Sequence, residues 1–206
     1  MDGKTIINIA ERLKRDIERE VMDRLPRKVG IIARNHFMQN FRDAGWRDGG
    51  LHQWKRTQRQ DSDSPDARYT PLTSRRDHLM RSIDYRAGQG EVTIENPVPY
   101  AGIHNEGGTV TTHPSVTDKM RRFAWAMAYK AAGVRGKGKL PKELTPEAER
   151  WRAMALTKKN HLIVHAEIPQ RQFMGEGQEL MEKVEQAVQE SIDNITEKAE
   201  NGITNL

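Results

Sequence analysis

Apolar residues recur every three or four places through Ile6, Ala10, Leu13, Ile17 and Val21, and again through Val29, Ala33, Phe37 and Phe41. This spacing lines one face of a helix. Leu25-Pro26-Arg27 interrupts the stripe, because proline removes a backbone donor and clashes with the preceding turn, and Gly45 offers a stop. Residues 1–43 therefore read as two amino-terminal helices. Further along, the period changes to two: in "GEVTIEN" Val92 and Ile94 alternate inward as in a half-buried strand. A chain that opens at a helical period and then switches to a strand period points to an α+β fold. The expectation is a small, mainly antiparallel sheet, made from Glu91 to Thr112 and His161 to Ile168, packed by the amino-terminal and carboxy-terminal helices.

Between the two regimes, residues 46–70 turn polar and contain "RQDSDSPDAR", which reads as a long loop. Ser74 with Asp77 forms a capping box for a short helix carrying Leu79 and Ile83. "VPYAGIHNEGGTV", Val98 to Val110, reads as a continuation of the sheet, with Pro97 and Pro99 restricting its entry and Gly107-Gly108 turning a hairpin into "TVTTH". Residues 115–160 read as a helical insertion. Ser115 and Asp118 would cap a helix bearing Met120, Phe123, Ala124, Met127 and Ala131, residues 133–142 form a flexible basic loop, and Thr145-Pro146 opens a second helix around Trp151 and Leu156. "HLIVHAEIP" reads as a strand, and Leu180, Val184, Ala187, Ser191 and Ile195 mark a closing amphipathic helix. The 206 residues fit one domain with these elaborations.

Composition limits what such a fold can do. Only 35% of the chain is hydrophobic and 31% is charged, lean for a self-sufficient globule, so partners are expected to supply burial. No run approaches the roughly 18 apolar residues of a membrane span, and the opening lacks the order of a signal peptide, so no membrane contact is expected. Cysteine is absent, which excludes disulfides and thiolate chemistry. Charge is unevenly placed: Ser115 to Lys142 holds eight Lys and Arg against one Asp, and Met174 to Leu206 holds eight Asp and Glu against two Lys. Such asymmetry suits either nucleic acid or complementary faces of neighbouring copies.

No catalytic, cofactor or metal site emerges. His161 and His165 have a metal-ligand spacing for a helix, but their segment reads as a strand. His104, Glu106 and His113 lack the nucleophile and orienting partner a hydrolase needs. Gly133, Gly136 and Gly138 sit beside lysines without the preceding strand or following Gly-Lys-Ser/Thr of a phosphate loop. Glu91 and Glu95 flank one strand with nothing to pair them as acid and base.

The order of the motifs carries more. A "GW" after two helices, then "PLTSRRDHLMRSI", then "PYAGIHNEGGTV", then "IPQRQFMGEGQEL" and a final helix resembles the phage virion morphogenesis family, the tail-completion proteins of Mu-like and P2-like phages and prophages. The sharpest pieces are Tyr100 to Gly108 and Ile168 to Gly175. The chain departs from the family pattern where Arg75, Arg76 and Asp77 replace a usual glycine, and where Gln170, Arg171, Gln172 and Phe173 replace Ala-Arg-Pro-Phe. The resemblance implies a structural virion protein of the tail or neck, made in the host cytoplasm, acting in tail completion and head-tail joining as a homo-oligomeric ring of six copies beside other tail or neck proteins. It also implies that Tyr100 and Ile103 fill the core side of the hairpin, that Ile168 and Phe173 pin the last strand, and that His104 and Arg171 belong to the same structural motif. Arg135, Lys137 and Lys139 of the Gly133 to Lys142 loop, with Gly107 and Gly108, or else the Trp46 to Tyr69 loop, are the expected assembly contacts. As a secondary property of such a ring, Arg121, Arg122, Lys130 and the loop cations would make weak contact with exiting DNA; the alternative to the ring is a nonspecific DNA-binding module on residues 119–142.

Overall fold

The computed structural model describes residues 3–134 and 138–204, and these divide into two compact units: Met1–Gly108 with Pro169–Leu206, and Thr109–Ile168. The class is α+β. Among the described residues its strands form three two-stranded sheets, where the sequence suggested one.

In the first unit, helix α1 (Gly3–Arg19) passes through a π turn (Glu20–Arg24) into α2 (Leu25–Asp43). The expected break at Leu25-Pro26-Arg27 is absent. Pro26 stands in the first turn of α2, where a missing N–H costs little, and the widened turn before it carries the helical path onward. The stop is also displaced. Ala44 takes the left-handed conformation, φ 52 and ψ 41, and its N–H closes the helix on Asn40 and Phe41. Gly45 instead lets two strands meet, since a Cβ there would lie 2.7 Å from the His52 carbonyl oxygen.

Those strands are β1 (Gly45–Arg47) and β2 (Leu51–Gln53), antiparallel with Trp46 opposite His52. They correct the reading of residues 46–70 as one long loop, because Asp48-Gly49-Gly50 turns a hairpin, with Gly49 at φ 63 and Gly50 at φ 144, and a 3₁₀ turn (Pro65–Arg68) follows. Asp48 Oδ1 also accepts the N–H of Gln178 at 2.8 Å, capping the start of α7 (Gln178–Thr204).

Ser74 and Asp77 exchange the reciprocal bonds of a capping box, 3.0 and 3.2 Å, but close the turn ahead of α3 (His78–Arg81) instead of capping it. Strand β3 (Asp84–Gly88) pairs with β4 (Glu91–Glu95), and Val92 and Ile94 are half-buried as the alternation required. Tyr85 lies over α2 at Gly30, where a Cβ would come within 2.2 Å of its ring. The core gathers Phe37 and Phe41 from α2, Trp46, Trp54, Leu79, Ile83, Val98, Ala101, Phe173 and Leu180. Phe41 is its centre, with ring centroids 4.9 Å from Phe173 and 5.6 Å from Trp54. Helix α7 buries Leu180, Ala187 and Ser191 on the periodic face and packs on α2.

In the second unit, α5 (Asp118–Ala131) and α6 (Pro146–Leu156) pack through Ala124, Ala128, Ala148 and Ala155, all buried, so that small side chains let the helices approach. The cap of α5 is Thr117, which accepts from Met120 N–H at 3.2 Å; Ser115 instead bridges to His161. Phe123 is largely exposed and meets Trp151 edge-on at 5.8 Å. Thr145 caps α6 at Ala148, with Pro146 in its first turn.

Candidate functional site

The stretch Tyr100 to Gly108 is not a hairpin. Asn96 Oδ1 accepts the N–H of Val98, turning the chain after β4, and Ala101 to Glu106 form a short helix, α4. Helical geometry puts Ala101 in the core and leaves Tyr100 44% exposed, so Tyr100 does not fill a core side and Ile103 is only half-buried. Gly107 ends the helix at φ 75 and ψ −177, donating to the Ile103 carbonyl at 2.9 Å. Strand β5 (Gly108–Thr112) begins at the second glycine and pairs with β6 (Val164–Ile168).

This helix receives the second motif. Arg171 N–H donates to the His104 carbonyl at 2.9 Å, and Asn105 Oδ1 accepts the N–H groups of both Phe173 and Met174 at 2.9 Å. On the other side, Asn40 Nδ2 donates to the Phe173 carbonyl at 3.2 Å and Trp54 Nε1 to the Gln172 carbonyl at 2.9 Å. Arg171 donates from Nε and Nη2 to the Lys55 carbonyl at 3.2 and 3.0 Å. The segment from Gln170 to Met174 has no regular structure, so these groups from α2, β2's exit and α4 take the place of a backbone ladder. Gly107 is part of the fit, since a Cβ there would stand 2.7 Å from Gln170 N. Phe173 is buried in the core against Phe41, in the irregular stretch that follows β6. Ile168, half-buried, ends β6.

Sequence reasoning missed Asn40, Asn105, Trp54 and Asp48. Asn40 carried a signal, since it is a polar residue beside Phe37 and Phe41 on the apolar stripe and is fully buried. Asn105 carried none, because its role depends on a segment 68 residues away.

One open face of this junction is a cleft of ≈ 380 Å³ lined by Arg59, Ser74, His78, Tyr100, His104 and Arg171 among others. Arg59 Nη2 gathers the carbonyls of Tyr69, Thr70 and Thr73 at 3.0 to 3.3 Å. Burial first and the neighbouring Arg171 second hold His104 below the ordinary histidine value, and burial lowers Arg171 as well. The cleft wall carries the guanidinium groups of Arg59 and Arg171.

The other candidate residues are dispersed. Arg135 and Lys137 lie outside the described residues, and Lys139 is exposed. Arg121 is committed inside its own unit, where it donates to the carbonyls of Ala155 and Thr157, whereas Arg122 and Lys130 are exposed. His165 Nδ1 is 2.9 Å from Thr111 Oγ1 across the β5-β6 pair, and His161 faces Ser115. No group of three or more potential metal ligands occurs among the described residues.

A family model described as the phage virion morphogenesis family matches residues 1–193 of the chain. No curated protein and no solved structure matches it.

Proposed function

The chain belongs to the phage virion morphogenesis family, and from that membership we propose that it is a structural subunit of the phage tail or neck, acting in tail completion and head-tail joining as a ring of identical copies. The observation that supports assembly is the apolar stripe of α1. Helical spacing aligns Leu13, Ile17 and Val21, yet Leu13 is only half-buried, and Ile7, Ile17, Val21 and Met22 remain 38 to 59% exposed. α7 adds exposed Met181 and Ile192. Neighbouring copies would cover these surfaces, in keeping with the lean apolar content of the chain. The basic 133–142 stretch and the acidic α7 would add complementary charge to a head-to-tail contact, which closes into a ring when the rotation permits; six copies is the proposed number.

The test is mass photometry of the purified protein together with a reconstruction of phage particles. Discrete closed oligomers, or a ring of this chain at the tail or neck, are the expected results. Monomers in solution with no density for the chain in virions would end the proposal.

A further inference from the structure

We propose that the cleft between Arg59 and Arg171 is a carboxylate-binding site that receives an acidic side chain from a protein neighbour. Arg171 is 7% exposed and Arg59 partly buried, and among the described residues neither forms an ion pair with a carboxylate. Their hydrogen bonds go to backbone carbonyls, which fix each guanidinium in place without neutralising it. Arg59 Nε is buried with no partner, and so is His104 Nδ1 on the same cleft wall. Two guanidinium groups held by backbone carbonyls in the wall of one concavity form a preorganised site for an oxyanion, because the entropic cost of holding a fork geometry is already met by the fold.

The cationic field extends beyond the cleft. Arg59 and Ser74 also line an adjoining cavity of ≈ 630 Å³ with Arg75 and Arg76, where Asp66 is the one carboxylate in the lining. Asp77, next to Arg76 in the chain, accepts the Ser74 N–H at 3.0 Å. Duplex DNA presents a charge every roughly 1.7 Å and is held by cations spread along it, whereas these arginines converge on a concavity. Leu79 and Tyr100 in its wall suit the methylenes of a glutamate. A protein neighbour is what the proposed structural role supplies; mass photometry reads that role and the titration below reads the cleft, so either can fail alone.

The experiment is an NMR titration of the full chain, following the side-chain Nε–H signals of Arg59 and Arg171, with an acetylated and amidated hexaglutamate peptide and, separately, a twelve-base-pair DNA duplex. The peptide should shift both signals saturably. His78→Glu, an exposed change at the cleft rim and the first position of α3, should weaken that binding at least tenfold while leaving the fold intact, and Arg59→Met should abolish it. If Arg59→Met unfolds, His78→Glu alone decides. No shift of either signal with the peptide, unchanged binding by His78→Glu, or a stronger response to the duplex than to the peptide would each overturn the proposal.

Discussion

Asn105 holds Phe173 in place: its side-chain oxygen accepts the Phe173 backbone N–H at 2.9 Å and that of Met174 at the same distance, so one amide satisfies two donors of a segment with no ladder of its own. Asn105→Ala leaves both donors unpaired beside the core. We expect a loss of about 2 to 4 kcal/mol for the two donors, from the lower part of the roughly 1 to 3 kcal/mol that each fully buried unsatisfied group costs, because both bonds are part-buried. Urea denaturation checks this, and a loss below about 0.5 kcal/mol would show that water replaces the amide.

Gly107 and Gly102 sit five residues apart in one motif and should respond oppositely to alanine. Gly107 adopts φ 75 and ψ −177, a region nearly restricted to glycine, and a Cβ would press on Gln170 N at 2.7 Å. Gly102 is inside α4 with open space around it. Gly107→Ala should destabilise by roughly 1 to 3 kcal/mol or more, from backbone strain plus the clash. Gly102→Ala should be neutral or stabilise by up to about 1 kcal/mol, as helix propensity dictates. Thermal melts of the two variants side by side test the contrast.

Stability should fall with acid before the carboxylates titrate. His36 is buried, held below its ordinary value of 6.5 first by burial and then by Lys183, whose ammonium donates to Nδ1 at 3.2 Å; His104 is lowered by burial and Arg171. The unfolded chain therefore takes up protons that the folded chain refuses. Stability is full above about pH 6.5 and drops below it, by at most about 1.4 kcal/mol per pH unit for each imidazole. Asp43, lowered by its bonds to Arg47 and Gln39 against opposing desolvation, and Glu190, lowered by Lys28, add their losses at lower pH, below the ordinary carboxylate range. Denaturant midpoints from pH 7.5 to 5 should show the slope, and His36→Gln should flatten it.

These sites show what the sequence carried and what it did not. The α2 and α7 stripes were legible because burial on a helix face writes a period of 3.6 into the chain, and β4 because Val92 and Ile94 write a period of two. The β1-β2 hairpin was not, since strands of three residues contain too few alternations to be told from a loop. The Val98 to Val110 stretch misled in a different way: two prolines and two glycines suit a strand entry and a hairpin, but Asn96 turns the chain by bonding Val98 and the Leu79 carbonyl, a tertiary choice invisible to local pattern. The motifs identified the family, while the contact between them, Asn105 on Phe173, needed coordinates.

The assembly reading makes the sharpest demand on α1. Ile7 and Val21 are 59 and 45% exposed, so replacing both by glutamate removes little intramolecular packing and should change the monomer's stability by no more than about 0.5 kcal/mol each. If neighbours bury that stripe, each carboxylate would instead be forced into an apolar contact without a partner, and the oligomer should dissociate. Mass photometry of Ile7→Glu/Val21→Glu should then show monomers at concentrations where the unaltered chain assembles, with the urea midpoint nearly unmoved. Intact oligomers of the double variant would place the interface elsewhere on the molecule, and a collapsed midpoint would mean that α1 belongs to the core of its own chain.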